Sequence, residues 1–525
     1  MLVEVIVFLI TTLVAYYLYV YKKIHYFYDA RGVKYQPGIP VLGNILKSSL
    51  GTGHFWEDID KIYKAFPGER YIGYIEGTTP ILMIKDPEII KNITVRDFDH
   101  FVNHKEFFPV EIDALFGGSL FMMKDDKWRD MRTTLSPAFT GSKMRLMLPF
   151  MIDISKNIVE YLKGHQLEDV DVDDLMRRYT NDVIASAGFG LQVNSLVDKD
   201  NEFYECGQAM FSTSWPQRFK MILAAQFPTL AKKIGIKVFP QKVTRFFREI
   251  VTSTMDYRLK NNVERPDMIQ LLMDAYKGTL KNESNESDEK NVGFAMTEEM
   301  LKPKGNVRKW TQDELTAQVF IFFLAGFESS ANGLTLCIHE LALNPEAQEK
   351  LYEAIIKFKE EKGPLTYDNI GELKYLDCVL NETSRKWSAA IIVDRVCSKP
   401  YELPPPREGG KPYKLQPGDI VYNSVNSIQM DPEHHPDPEK FDPDRFLDEN
   451  KHKIKPFTFL PFGAGPRNCI GSRFALLELK VLIYYIVLNF KIIKTEKTLS
   501  PIKLQPGEFN IKVLGGTWTQ FEARE

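Results

Sequence analysis

The chain has 525 residues, 44% of them hydrophobic and 26% charged, with a formal net charge of -3. That balance describes a folding sequence with material for a large core, and it lacks the basic excess that marks a nucleic-acid partner, so no nucleic acid is expected. The five cysteines, Cys206, Cys337, Cys378, Cys397 and Cys469, form no CxxC pair, which speaks against a disulfide framework or a structural zinc site and for a reducing compartment.

The amino end opens with LVEVIVFLITTLVAYYLYVY, from Leu2 to Tyr21, in which Glu4 is the only charge. About 20 apolar residues suffice to cross a bilayer as a helix. Tyr16, Tyr17, Tyr19 and Tyr21 gather at the far end as interfacial aromatics do, and Lys22, Lys23, His25, Arg31 and Lys34 follow. The positive-inside rule then places the rest of the chain on the cytoplasmic side. A cleaved signal peptide fits less well: the amino end carries Glu, the apolar run is long, and no small-residue cleavage site follows. Gln36 to Asn44 (QPGIPVLGN) reads as a stiff, turning hinge. The organisation expected is an anchor over 1–21, a basic and Pro/Gly hinge over 22–45, and a single globular body over 46–525.

Tyr71 to Ile84, rich in aromatic and β-branched residues around Gly-Thr-Thr-Pro, carries a hairpin signal. Beyond it the periodicity is mainly helical: Met144–Leu162, Val172–Ala187, Lys242–Tyr257, Gln312–Leu343 and Ala347–Phe358. The Gln312–Leu343 stretch is apolar nearly all round, yet Glu314, Glu328, Asn332, His339 and Glu340 argue for a central core helix rather than a second span. Lys281 to Lys304, polar and with two Asn-Glu-Ser triplets, reads as a solvated connector; on the cytoplasmic side its sequons stay unmodified.

The stretch richest in chemistry is FLPFGAGPRNCIGSRFALLEL, Phe459 to Leu479. Gly463 and Gly465 allow positive φ and close approach of amides, and a cysteine beside backbone N–H groups at a helix start is stabilised as thiolate. Gly471 would let a flat ligand lie against the backbone. Two other readings stay open on these residues alone: a partial dinucleotide fingerprint, with Asn468 where the third glycine belongs, or a structural thiol. Three further constellations precede it. Trp128 and Arg132, four apart, set an indole N–H and a guanidinium on one side of a helix, both donors suited to an anion. Ala325-Gly326-Phe327-Glu328-Ser329-Ser330 puts an acid and an alcohol in mid-helix. Glu382 and Arg385, three apart, can pair on one helix face, with Pro443-Asp444-Arg445-Phe446 following.

Phe462, Gly465, Arg467, Cys469 and Gly471 stand as FxxGxRxCxG, which resembles the haem-binding signature of the cytochrome P-450 family. The other three constellations match that family in order, from the anchor to near the carboxyl end, and the whole most resembles insect microsomal members of the detoxification type. The resemblance implies a mostly α fold with a small β region behind one transmembrane helix, residues 46–525 being a haem-thiolate catalytic domain. It implies haem b as cofactor, with Cys469 as iron ligand and Phe462 in the haem loop. Trp128, Arg132, Arg395 and Arg467 would hold the propionates. Glu328 and Ser329 would deliver protons in oxygen activation. Glu382, Arg385 and Arg445 would form a buried scaffold lock, acceptable only when complete. Two departures stand out: Ser329 replaces the usual threonine, and Trp387 to Val393 lacks the usual proline, which leaves the path of Ser388 to Val393 open.

The same resemblance places Phe101, Phe107, Phe108, Leu115 and Phe116, with Phe211, Trp215, Phe219 and Phe227, over a cavity for lipophilic small molecules. The sequence has no flavin or nicotinamide domain, so NADPH and flavins enter only through a separate flavoprotein reductase, with a b-type cytochrome as a second partner. Lys124, Lys127, Lys143, Arg145, Lys453, Lys455 and Arg473 are candidates for the basic face that steers it. The expected activity is monooxygenation of xenobiotics at the endoplasmic reticulum membrane. Alternatives are an endogenous lipid, hormone or odorant as substrate, a reductase-independent isomerase or dehydratase, and a non-catalytic haem sensor.

Overall fold

A computed structural model of the chain describes residues 2–39, 43–211, 214–265, 267–277 and 308–524. The expected connector Lys281–Lys304 and its sequons lie outside the described residues, as do positions 40–42 of the expected hinge.

The N-terminal helix runs unbroken over Leu2–Asp29, so the basic segment after Tyr21 continues it. From Val3 onward it is long and apolar enough to cross a membrane. Its last turns dock on the body: Val20, Ile24 and Tyr28 are buried. The Tyr28 hydroxyl bridges the carbonyls of Tyr74 and Ile81, at 2.6 and 2.9 Å, and accepts from the Ile81 amide at 2.8 Å. Gly73 makes room for that ring, since a Cβ there would stand 2.3 Å from Tyr28 Cε1.

The strands, in chain order, are β1 (Tyr71–Glu76), β2 (Thr79–Ile84), β3 (Val170–Asp171), β4 (Ile392–Val396), β5 (Tyr401–Leu403), β6 (Tyr413–Leu415), β7 (Ile420–Ser424), β8 (Phe490–Lys494) and β9 (Trp518–Ala523). They form a four-stranded sheet in the order β1-β2-β7-β4, a three-stranded sheet β3-β9-β8 and the pair β5-β6. The expected hairpin is β1–β2, with Glu76 opposite Thr79 across the Gly77-Thr78 turn. The Ser388–Val393 path is that of a turn entering β4, which pairs antiparallel to β7 with Arg395 opposite Val421.

The helical layer holds most of the core. The expected helices are present as Gly141–Gly164, Val172–Phe189, Gln241–Asn261, Gln312–Leu343 and Pro345–Lys362. The central one, Gln312–Leu343, starts on a capping box: Thr311 Oγ1 accepts from the Glu314 amide and Glu314 Oε2 accepts from the Thr311 amide, which satisfies two otherwise orphaned donors. It is buried for most of its circumference against the Val172–Phe189 helix. At Gly326 the two helices meet so closely that a Cβ would lie 2.4 Å from Ile184 Cδ1. A stripe on the remaining face stays accessible, with Ala325 and Ser329 exposed and Phe322 and Gly333 partly so.

The C-terminal helix Ser472–Asn489 crosses the central helix near Gly333 and Leu479. At this crossing Glu478 is fully buried beside Ser330, and burial, opposed only by Ser330, pushes its carboxyl up to about 8 from an ordinary 4.5. The folded chain thus keeps a proton that the unfolded chain releases, so this group makes stability fall as pH rises between those two values. Glu478→Gln should flatten that slope and raise the thermal midpoint by a few degrees at pH 8, with little change at pH 4. Unfolding curves at the two pH values check it; a midpoint lowered at pH 8 would mean the glutamate is held ionised.

Candidate active site

Cys469 sits at the end of a tight loop fixed by its own backbone. The Cys469 amide donates to Phe462 O at 2.9 Å, Asn468 N to Gly465 O at 2.9 Å and Gly463 N to Leu460 O at 3.0 Å. Gly463 and Gly465 have φ of +72° and +71°, a region that side chains other than glycine enter at a cost. Cys206, Cys337, Cys378 and Cys397 are buried, whereas Cys469 is exposed. Burial pushes Cys206 and Cys397 up to about 11 and Cys337 and Cys378 up to about 12.

The Trp128 helix, Asp125–Leu135, packs on this loop. Arg132 donates to Asn468 O and Asn468 Oδ1, both at 2.8 Å. The buried Arg467 guanidinium lies 4.1 Å from the Trp128 ring centroid and donates to Val102 O, Leu120 O and Met123 O. Arg395, on β4, is buried and gives Nη1 to Asp394 O at 2.7 Å. Its Nε and Nη2 are buried without a partner among the described residues. Burial pulls Arg395 down to about 10, with Asp394 opposing, and pulls Arg467 well below its ordinary value, with Arg395 adding repulsion. The Arg395 guanidinium, buried with two unpartnered donors, fits a bound anion, and the neighbouring Arg467 guanidinium adds positive charge; a haem brings two carboxylates. The residues present therefore fit the group.

Glu382 and Arg385 are both fully buried on the Lys374–Lys386 helix. Arg385 Nε and Nη2 reach the two carboxylate oxygens at 2.7 and 2.9 Å. The same guanidinium donates to Gln429 O and Pro438 O. The Asp442 amide donates to Glu382 Oε1 at 2.9 Å, and Arg445 Nε stands 3.4 Å from it. Even with these partners burial raises the Glu382 carboxyl, against the pull of Arg385. Gln429, which the sequence reading missed, couples this lock to the cysteine loop: its Nε2 donates to Ser384 O and Arg385 O, and its Oε1 accepts from Leu460 N at 2.8 Å.

On the central helix the acid and the alcohol part ways. Ser329 lies in the accessible stripe and gives its hydroxyl back to Ala325 O at 2.5 Å. Glu328 is buried and held by Arg177, which reaches its two oxygens at 3.0 Å each and spends Nη1 on Asp173. Arg177, from the Val172–Phe189 helix, is a second residue that the sequence did not reveal.

Of the apolar residues expected over a cavity, Phe101, Phe108 and Leu115 are core residues. Trp215 and Phe219 stack at 5.9 Å and are 68% and 52% exposed. On the basic face Lys124, Lys127 and Arg145 pair with Glu106, Glu314 and Asp368, surface pairs that weigh little.

A helical body whose long central helix is open along one stripe, with a glycine-shaped cysteine loop and a cluster of buried arginines, defines the haem-thiolate class. The chain belongs to the cytochrome P450 family: the family model described as Cytochrome P450 matches residues 33–514. It is similar to Probable cytochrome P450 9f2 of Drosophila melanogaster, 39% identical over 511 residues and 95% of each chain. Cytochrome P450 9e2 of Blattella germanica is 40% identical over 518 residues, 95% of this chain and 94% of that one. Probable cytochrome P450 6a13 of Drosophila melanogaster is 37% identical over 514 residues and 97% of each. The protein is thus an oxidoreductase of the monooxygenase type, with haem as cofactor and a redox partner and small-molecule substrate in the general manner of its family.

Proposed function

We propose that this protein inserts one oxygen atom from O2 into lipophilic compounds of foreign origin, using electrons that a separate flavoprotein reductase takes from NADPH. A b-type cytochrome is a second electron donor of the same reading. Cys469 would ligate the iron, and Arg395 and Arg467, with Trp128 and Arg132 behind them, would hold the propionates. When bound, haem ligated by a cysteine thiolate would supply O–O cleavage and substrate oxidation. The observation that carries the reading is the pairing of an exposed Cys469 with buried Arg395 donors that have no partner among the described residues, Arg395 lying near enough to Arg467 of the cysteine loop to repel it.

The chain's own residues then have separable tasks. Ser329 presents a hydroxyl on the accessible stripe and can pass a proton there. Glu328 can feed that hydroxyl only when Arg177 loosens its grip, so the Arg177 pair sets when the acid is available. Glu382, Arg385 and Arg445 hold the loop that aims Cys469, through Gln429. The N-terminal helix anchors the protein in the endoplasmic reticulum membrane with the body on the cytoplasmic side, and exposed Trp215 and Phe219 give a second apolar contact with the bilayer.

The test is spectroscopic and chemical. Reduced protein with carbon monoxide should show the strongly red-shifted Soret band of thiolate ligation. With added reductase, a lipophilic compound should drive NADPH consumption and yield an oxygenated product. Peroxide rearrangement without NADPH would establish the isomerase instead, and binding without NADPH consumption across many lipophiles would leave a sensor.

A further inference from the structure

We infer that Asn468 is a positioning residue for Cys469: gripped by Arg132, it fixes the peptide plane from which the thiol side chain projects. This rests on the reading that Cys469 ligates the iron. The peptide bond between Asn468 and Cys469 is held at both of its polar groups. Its carbonyl, Asn468 O, accepts from Arg132 Nη1 at 2.8 Å. Its N–H, on Cys469, donates to Phe462 O at 2.9 Å. A peptide unit is planar and trans, so its C=O and N–H point opposite ways, and bonds on both edges stop it from turning about the chain. Turning it would change φ at Cys469 and swing the sulfur.

The side chain doubles the grip. Asn468 Oδ1 accepts from Arg132 Nη2, also at 2.8 Å, so two arms of one guanidinium close on two oxygens of one residue. A guanidinium has only donors, so it selects the oxygen end of the amide. Both residues are buried, and hydrogen bonds from a charged donor are the strong ones. The Asn468 amide donates in turn to Gly465 O at 2.9 Å. A glycine at this position, as a dinucleotide loop has it, would offer Arg132 the backbone oxygen alone. The preceding residue, Arg467, is tied to Val102 O, Leu120 O and Met123 O. The cysteine loop is therefore fastened from outside at two successive residues. The second fastening, to the Asp125–Leu135 helix, is the one that adjoins the thiol.

The experiment follows, in mild urea, the lifetime of the red-shifted Soret band of the reduced carbon monoxide complex. Far-UV circular dichroism is recorded alongside, and haem transfer to excess apomyoglobin is measured without urea. Asn468→Ala removes one arm of the grip and should shorten the band's lifetime about tenfold, the scale of one charge-assisted hydrogen bond. Its helix content and its haem transfer should stay close to the wild type. Asn468→Asp, which keeps the acceptor oxygen, should restore the lifetime. Arg132→Met should shorten it further, and adding Asn468→Ala to Arg132→Met should add little. An unchanged lifetime in Asn468→Ala, or a band lost only in step with helix content, overturns the inference while leaving Cys469 as ligand. A band that survives in Arg132→Met, or full additivity of the two substitutions, overturns it as well. Absence of the band from the wild type removes the assignment of Cys469 itself, and the inference with it.

Discussion

Cys469→Ala should abolish the red-shifted Soret band of the reduced carbon monoxide complex and all NADPH-supported oxygenation, while the protein stays folded. The loop is held by the Cys469 amide on Phe462 O and the Asn468 amide on Gly465 O, and alanine keeps both backbone bonds. The lost thiol is exposed, so little packing goes with it, and the thermal midpoint should move by no more than a degree or two. No other cysteine can take over. The remaining four are buried, with thiols pushed up to about 11 or 12, and a thiol held protonated is a poor ligand. A normal thiolate spectrum in Cys469→Ala would sink the assignment of this residue.

What the sequence made legible was whatever repeats or turns locally. The hairpin was visible because Gly77-Thr78 interrupts two β-branched runs, and the central helix because its apolar pattern holds from a capping Thr311 to Leu343. The cysteine loop was visible through its glycines. Contacts across long separations left no such trace. Arg177 meets Glu328 across 151 residues, Gln429 meets Arg385 across 44, and His104 meets Asp394 across 290. Arg177, Gln429 and His104, one partner of each pair, sit in no motif of their own.

The acid and alcohol of the central helix show how a local motif can mislead about geometry. Glu328 and Ser329 are consecutive, and consecutive helical residues point about 100° apart, so one site cannot face both directly. In the structure Ser329 takes the open stripe and Glu328 turns to the Val172–Phe189 helix. The glycine beside them has a similar lesson. Gly326 serves the close approach to Ile184, and it is Ala325 that borders the accessible face.

Gly465→Ala should be as damaging to the site as loss of the cysteine, by a different route. At Gly465 φ is +71°, which costs an alanine roughly 1–2 kcal/mol. The larger penalty is steric. A Cβ at Gly465 would stand 1.8 Å from Thr94 O and 2.8 Å from Thr94 C, both backbone atoms of the Asn92–Arg96 turn. Thr94 cannot swing aside as a flexible side chain would, so the cysteine loop must move away. That movement breaks the Asn468–Gly465 bond and shifts Cys469. The total should reach about 3–5 kcal/mol, in the range of severe core disruptions. Gly463→Ala provides the internal control. Its φ is +72°, but the nearest atom to a new Cβ is Asn468 Cα at 3.9 Å, so only the conformational cost of about 1–2 kcal/mol applies. Purified Gly465→Ala should hold little haem and lack the thiolate band, whereas Gly463→Ala should keep both with a modestly lowered midpoint. Equal behaviour of the two variants would mean that the contact with Thr94 does not set the position of the cysteine loop.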